Sequence, residues 1–164
     1  MSATPKHTDE LFPYRSLKQI LSKRPAGATV QAVAPDDPAT DALQRMAQHN
    51  IGLVVVLEGT RLVGVLSERD LARHAGGPQA RPLRDVRVAE LMTRDVATVG
   101  PDDRMGRCMA LMDERGARHL PVVEAGRVIA VISVRDLLRE AVAHHEKVLA
   151  EMDRERLAAF QAMC

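Results

Sequence analysis

Two runs of apolar residues, Leu53–Leu57 (LVVVL) and Leu62–Leu66 (LVGVL), are separated by the polar stretch Glu58–Arg61, and this pattern predicts a buried β-hairpin. It recurs further along. Leu120–Val123 (LPVV) and Val128–Ile132 (VIAVI) flank Glu124–Arg127. Ahead of each hairpin, the alternating segments Val30–Val33 (VQAV) and Val96–Val99 (VATV) predict a short strand. A Pro-Asp-Asp sequence follows each, with Asp37 or Asp103 placed to cap a helix and Pro38 suited to a first helical turn. Ala39, Leu43, Met46 and Ala47 in one copy, and Met105, Met109 and Met112 in the other, then recur at helical spacing and predict a core-facing helix. A second helix is expected to open at Ser67 and again at Ser133. Each copy reads β-α-β-β-α, and the chain as a whole is of the α/β (α+β) class.

The correspondence is direct: Gly64–Arg73 (GVLSERDLAR) returns 66 residues later as Ala130–Arg139 (AVISVRDLLR). At that offset residues 30–73 align with 96–139 without a gap, about a third of them identical, and such a repeat implies that one unit cannot bury its apolar face alone. The halves should pack on each other. Between them, Ala75–Arg87 contains Gly76, Gly77, Pro78 and Pro82 and reads as a linker. The chain thus divides into a tail 1–15, a first repeat 16–74, a linker 75–87, a second repeat 88–140 and a C-terminal helix 141–164. Leu138, Ala141, His145, Val148, Met152, Leu157 and Phe160 keep one face of the terminal helical stretch apolar, to lie either back on its own domain or against a second copy.

Composition narrows the function. Of 164 residues 46% are hydrophobic, yet there is one Tyr, two Phe and no Trp, and the net charge is +1. The stacking platforms of single-strand nucleic-acid binders are missing and no basic footprint for a duplex exists, so nucleic acid is not an expected partner. No signal-peptide core and no apolar run near the ~18 residues of a membrane span is present, which predicts a soluble cytoplasmic protein without a membrane partner. Cys108 and Cys164 lack metal-ligand spacing, and Cys108, among methionines, reads as a buried small hydrophobe. His144, His145 and Glu146 face different directions on a helix, and His49, His74 and His119 have no paired nucleophile nearby in sequence. An enzyme is not the expected reading.

The candidate chemistry lies in the turns Ser67-Glu68-Arg69-Asp70 and Ser133-Val134-Arg135-Asp136, where a strand gives way to a helix. A Ser N-cap with an acid three residues on is a common capping arrangement. The same geometry offers free N–H groups to a phosphate and a fixed carboxylate to a ribose diol. Arg118 and His119 precede a buried strand and should emerge at a sheet end, where an Arg fork suits phosphate. The first copy has Gly52 and Leu53 at those positions, so two such sites would be unequal.

The doubled G-h-h-S-x-x-D turn, the hairpins and their spacing resemble the tandem cystathionine-β-synthase (CBS) domain pair of small stand-alone bacterial proteins, over about Leu17 to Glu140. The resemblance implies two β-α-β-β-α units related by a pseudo-twofold, with two clefts for adenosine-containing ligands: AMP, ADP or ATP first, NAD(H) or S-adenosylmethionine as alternatives. It implies a non-catalytic sensor, of cellular energy state among other signals. By the same resemblance Asp136 and Asp70 would bind ribose, Ser133 and Ser67 would assist, and Val131 and Val65 would flank the base. The Asp136 cleft would borrow Val30, Gln31, Ile51 and Gly52, and its phosphate would meet Arg118 and His119. The Asp70 cleft would borrow Val96, Ala97 and Ala117. Two departures from the family pattern stand out: Ala130 replaces the usual Gly, and Arg135 and Arg69 fill a slot that is often small, where each would either clasp phosphate or block entry. The expected partners are the nucleotide, a second copy in a homodimer and a regulated protein. The alternative is a dimeric scaffold with vestigial clefts.

Overall fold

The computed structural model describes residues 15–24 and 29–162. Cys164 and residues 1–14 of the tail fall outside that range. The order is α1 (Leu17–Leu21), β1 (Ala32–Val33), α2 (Ala39–His49), β2 (Leu53–Glu58), β3 (Arg61–Ser67), α3 (Glu68–Ala75), a 3-10 turn (Leu83–Asp85), α4 (Val88–Leu91), α5 (Met105–Glu114), β4 (His119–Glu124), β5 (Arg127–Ser133) and α6 (Val134–Ala162).

Both hairpins form where the apolar runs put them, β2 with β3 and β4 with β5, each antiparallel. Each carries a register shift at the same place, between Val56 and Leu57 and between Val122 and Val123. β1 adds a parallel strand beside β2, but it is shorter than Val30–Val33. Its counterpart Val96–Val99 forms no strand: only Val99 pairs with β4, exchanging bonds of 3.1 and 2.8 Å with Pro121 and Val123.

The helices correct three expectations. Asp37 and Asp103 cap nothing ahead of them; each carboxylate turns back, accepting the N–H of Ala34 or Gly100 at 2.7 Å and closing the Pro-Asp-Asp turn. α2 and α5 begin instead after Pro38 and Arg104, without a side-chain cap. Ala39, Ala42 and Met46 face the core from α2, leaving Leu43 exposed, because the buried stripe runs one residue earlier than the apolar count suggests. In α5 Met105, Cys108 and Met112 are buried, and burial pushes the Cys108 thiol up to about 12.

Packing crosses the repeat boundary. Leu17 and Ile20 of α1 join the core of the second repeat, with Met105, Cys108, Leu120, Ile132 and Leu137. Val86, Val88 and Met92 join the core of the first, with Val33, Met46, Val54 and Leu66. Matching backbone bonds seat the two leading helices: Leu17 N–H to Asp103 carbonyl and Val88 N–H to Asp37 carbonyl, both 2.9 Å. The stretch read as a linker therefore ends inside a core, with Val86 1% exposed. Arg15 and Lys23 clamp the buried Glu140 of α6, Lys23 Nζ at 2.7 Å from Oε1. α6 itself is one continuous helix of 29 residues, so no boundary falls at 141. Beyond His144 its described side chains are exposed, Val148, Leu149, Met152, Leu157 and Phe160 among them, and that stretch does not fold back on the domain. No described helix is long and apolar enough to cross a membrane.

Candidate functional site

A cavity of about 1170 Å³ opens where the two repeats meet. Its second-repeat wall is the end of β5 and the first turns of α6. There the N–H and Oγ–H of Ser133 donate to Asp136 Oδ2 at 2.8 and 2.7 Å, while the Asp136 N–H donates to Ser133 Oγ at 3.2 Å. This box fixes the carboxylate and leaves Oδ1 directed by the same locked rotamer. Because α6 continues in register, Arg135 and Arg139 follow Ser133 around the same wall. The first-repeat wall is the turn after α2, where Asn50 adopts a left-handed conformation at φ 51°, a geometry Asn tolerates, and brings Ile51 and Gly52 to the rim. Val30 and Gln31, leading into β1, complete it.

All ten residues expected around Asp136 therefore line one cavity: Val30, Gln31, Ile51, Gly52, Arg118, His119, Val131, Ser133, Arg135 and Asp136. The Arg118 carbonyl accepts the Val134 N–H at 2.9 Å, which pins the start of β4 beside the start of α6 and delivers Arg118 and His119 to the site. His119 is half-buried, and its ring is held below the usual histidine value, chiefly by burial and then by Arg118, with Asp136 and Glu68 pulling the other way. A Cβ on Gly52 would lie 3.3 Å from Glu68 Oε2 and 3.6 Å from His119 Cε1, so the absent side chain lets these two groups close on the rim.

Three charged lining residues escaped the sequence reading as ligand groups. Glu68 was visible only as a variable position of its turn. Arg139 follows Asp136 by three, a helical spacing that could have placed it on the same face. Arg24 gave no local signal: it comes from the segment after α1, and its Nη2 donates to the Val131 carbonyl at 2.9 Å and to Asp136 Oδ2 at 3.2 Å. Four arginines, Arg24, Arg118, Arg135 and Arg139, thus line the cavity together with two acidic residues, Glu68 and Asp136. The cavity is polar and carries an excess of positive charge, the arrangement that attracts an anion and holds it by charge-assisted hydrogen bonds. Among the described residues no group of three or more His, Cys, Asp or Glu could hold a metal ion.

The Asp70 side is built differently. Ser67 and Asp70 repeat the box, with Oγ–H and N–H donating to Asp70 Oδ2 at 2.6 and 2.9 Å. Yet Ser67, Asp70, Val65, Arg69, Val96, Ala97 and Ala117 all lie outside the large cavity. Thr93 bridges Val65 through both backbone groups, at 3.0 and 2.9 Å, so the strand edge at Val65 is paired. Met92 fills the space over Gly64, where an added Cβ would come 2.7 Å from its sulfur. Arg69 donates to the Gly116 carbonyl at 3.4 Å, and Ala97 packs against the second core.

The family model for the CBS domain matches this chain twice, at residues 17–77 and 88–143. A mitochondrial CBS domain-containing protein of Arabidopsis thaliana, CBSX3, is 33% identical over 123 residues, which are 72% of this chain and 59% of that protein. A putative signal-transduction protein with CBS domains from Burkholderia ambifaria is 38% identical with a TM-score of 0.74, covering 79% of this chain and 95% of that one. The CBS domain pair of protein MJ0100, solved with 5'-methylthioadenosine and S-adenosyl-L-methionine, shares the fold at 23% identity and a TM-score of 0.69, over 80% of this chain and 99% of that one.

Proposed function

This chain belongs to the CBS-domain family, and on that premise we propose that it is a non-catalytic sensor that binds one adenosine-containing, phosphorylated ligand in the Asp136 cleft. CBS pairs are regulatory modules, and no catalytic domain is evident in the described chain. The observation that carries the reading is the convergence of Asp136, Val131, Arg118 and His119 on one cavity with two more guanidinium groups than carboxylates. Asp136 accepts from the ribose hydroxyls, Val131 lies along the base, and the phosphate falls among Arg118, His119 and the arginines of α6. AMP, ADP and ATP suit this charge; NAD(H) carries the same groups; S-adenosylmethionine, a cation at its sulfur, suits it least. The fold shared with the adenosyl-binding pair of MJ0100 is consistent with the class of ligand.

Two or three hydrogen bonds to charged groups at about 1.5–3 kcal/mol each, set against the ordering cost, point to roughly micromolar affinity, about −8 kcal/mol. Calorimetry of the full chain with each of these ligands tests the reading. Saturable binding that Asp136→Ala weakens is the expected result; wild type and Asp136→Ala responding alike to every ligand overturns it.

The apolar residues exposed on α6 favour a second property, self-association through that helix. Deletion of residues 143–164 is expected to turn a dimer into a monomer in sedimentation equilibrium. A scaffold with vestigial clefts would show this and no ligand-dependent rise in melting temperature, whereas a sensor shows both.

A further inference from the structure

Arg24 occupies one carboxylate oxygen of Asp136 and the Val131 carbonyl, both on the wall where the ligand is placed. Its Nη2 bonds the Val131 carbonyl at 2.9 Å and Asp136 Oδ2 at 3.2 Å, and Oδ2 already accepts twice from Ser133. The corresponding carbonyl of the first repeat, that of Val65, is covered as well, by the Thr93 N–H at 2.9 Å. The two covers differ in kind. Thr93 uses its backbone, and removing it means moving the chain away from β3. Arg24 uses the end of a long side chain that is 31% exposed, and a change of rotamer removes it. The first cover is fixed and the second can lift.

We propose that Arg24 is a displaceable cover that makes this cleft select phosphorylated ligands over the bare nucleoside; the inference rests on the nucleotide reading of the Asp136 cleft. A ribose diol that takes both carboxylate oxygens of Asp136, with its base laid along Val131, displaces the guanidinium from both acceptors. A neutral nucleoside offers it nothing in exchange, whereas a phosphorylated ligand gives it an anion in the same cavity. An uncompensated hydrogen bond between charged groups weakens binding by about tenfold or more, and Arg24 imposes that loss on adenosine but returns it to AMP. The preference of the wild type alone is not the test, since Arg118, Arg135 and Arg139 also attract phosphate. The change of preference on removing Arg24 is.

Calorimetry of the full chain with adenosine and with AMP, at one ionic strength, reads it. In Arg24→Ala, adenosine is expected to bind about tenfold tighter while AMP changes by less than about threefold, so that the AMP preference falls about tenfold; Arg24→Lys, which keeps the charge, retains most of that preference. If Arg24→Ala shifts both ligands by the same factor, or weakens adenosine, the proposal is overturned while the nucleotide reading stands. Should neither ligand bind wild type or variant, the nucleotide reading falls and this inference falls with it.

Discussion

Thr93 and Val65 hold each other by two backbone hydrogen bonds, 3.0 Å from the Val65 N–H and 2.9 Å to the Val65 carbonyl. At the matching position of the second repeat, the Val131 carbonyl accepts a side chain, Arg24. One turn motif written twice thus carries a backbone strap in one repeat and a side-chain cover beside a large cavity in the other.

Stoichiometry follows from that asymmetry. One nucleotide is expected to bind per chain. Asp136→Asn, which removes a charged acceptor, should weaken it by about tenfold or more, and Asp70→Asn should change it by less than about twofold. Calorimetry gives both the site number and the factors, and two sites of similar affinity would contradict the strap.

His119 should link binding to pH. Burial and Arg118 keep its ring neutral near pH 7, and an arriving phosphate favours the protonated form. Binding then takes up a proton, so affinity for AMP is expected to rise as pH falls from about 8 to about 6.5, and His119→Gln should flatten the profile. In the unliganded chain the sign is opposite for stability. Between the lowered native value and the ordinary 6.5, the unfolded state binds more protons, so stability rises with pH across that window and is lost as pH falls through it. Urea denaturation at several pH values checks this arm.

Gly64 should not tolerate a methyl group, although Ala130 occupies the equivalent place. A Cβ there would sit 2.7 Å from Met92 sulfur and 3.0 Å from the Thr93 carbonyl oxygen. The sulfur can move; the backbone oxygen belongs to the strap. Gly64→Ala is expected to cost about 1–3 kcal/mol in urea denaturation by overpacking.

Glu140 fastens α1 to α6. It is 8% exposed and is gripped by Arg15 and Lys23. Glu140→Ala should cost about 1–2 kcal/mol, less than for a sealed pair because both cations still reach water. Hydrogen exchange should quicken in α1 before it does in the hairpins, because α1 has five residues and depends on this contact and on Leu17 and Ile20.

Much of this was legible in the chain itself. The apolar runs at Leu53–Leu57 and Leu120–Val123 determined the hairpins, since period and turn residues act locally. Ser67 and Asp70, and Ser133 and Asp136, specified two capping boxes because three residues separate the partners on one turn. The family resemblance pointed to ten residues that the structure places along one cavity, Val30 and Gly52 included, though no local rule connects them to Asp136.

Tertiary structure alone decided the rest. Arg24 meets Asp136 across 112 positions of sequence because α1 docks on the second repeat, and nothing near Arg24 announces that docking. Thr93 reaches Val65 because Val88 and Met92, read as the start of the second repeat, are drawn into the core of the first. The sequence wrote two equal turns, since a turn depends on its own few residues. Which of them carries a backbone strap and which a side-chain cover depended on long-range burial of apolar groups, an energy that no short stretch of the chain contains.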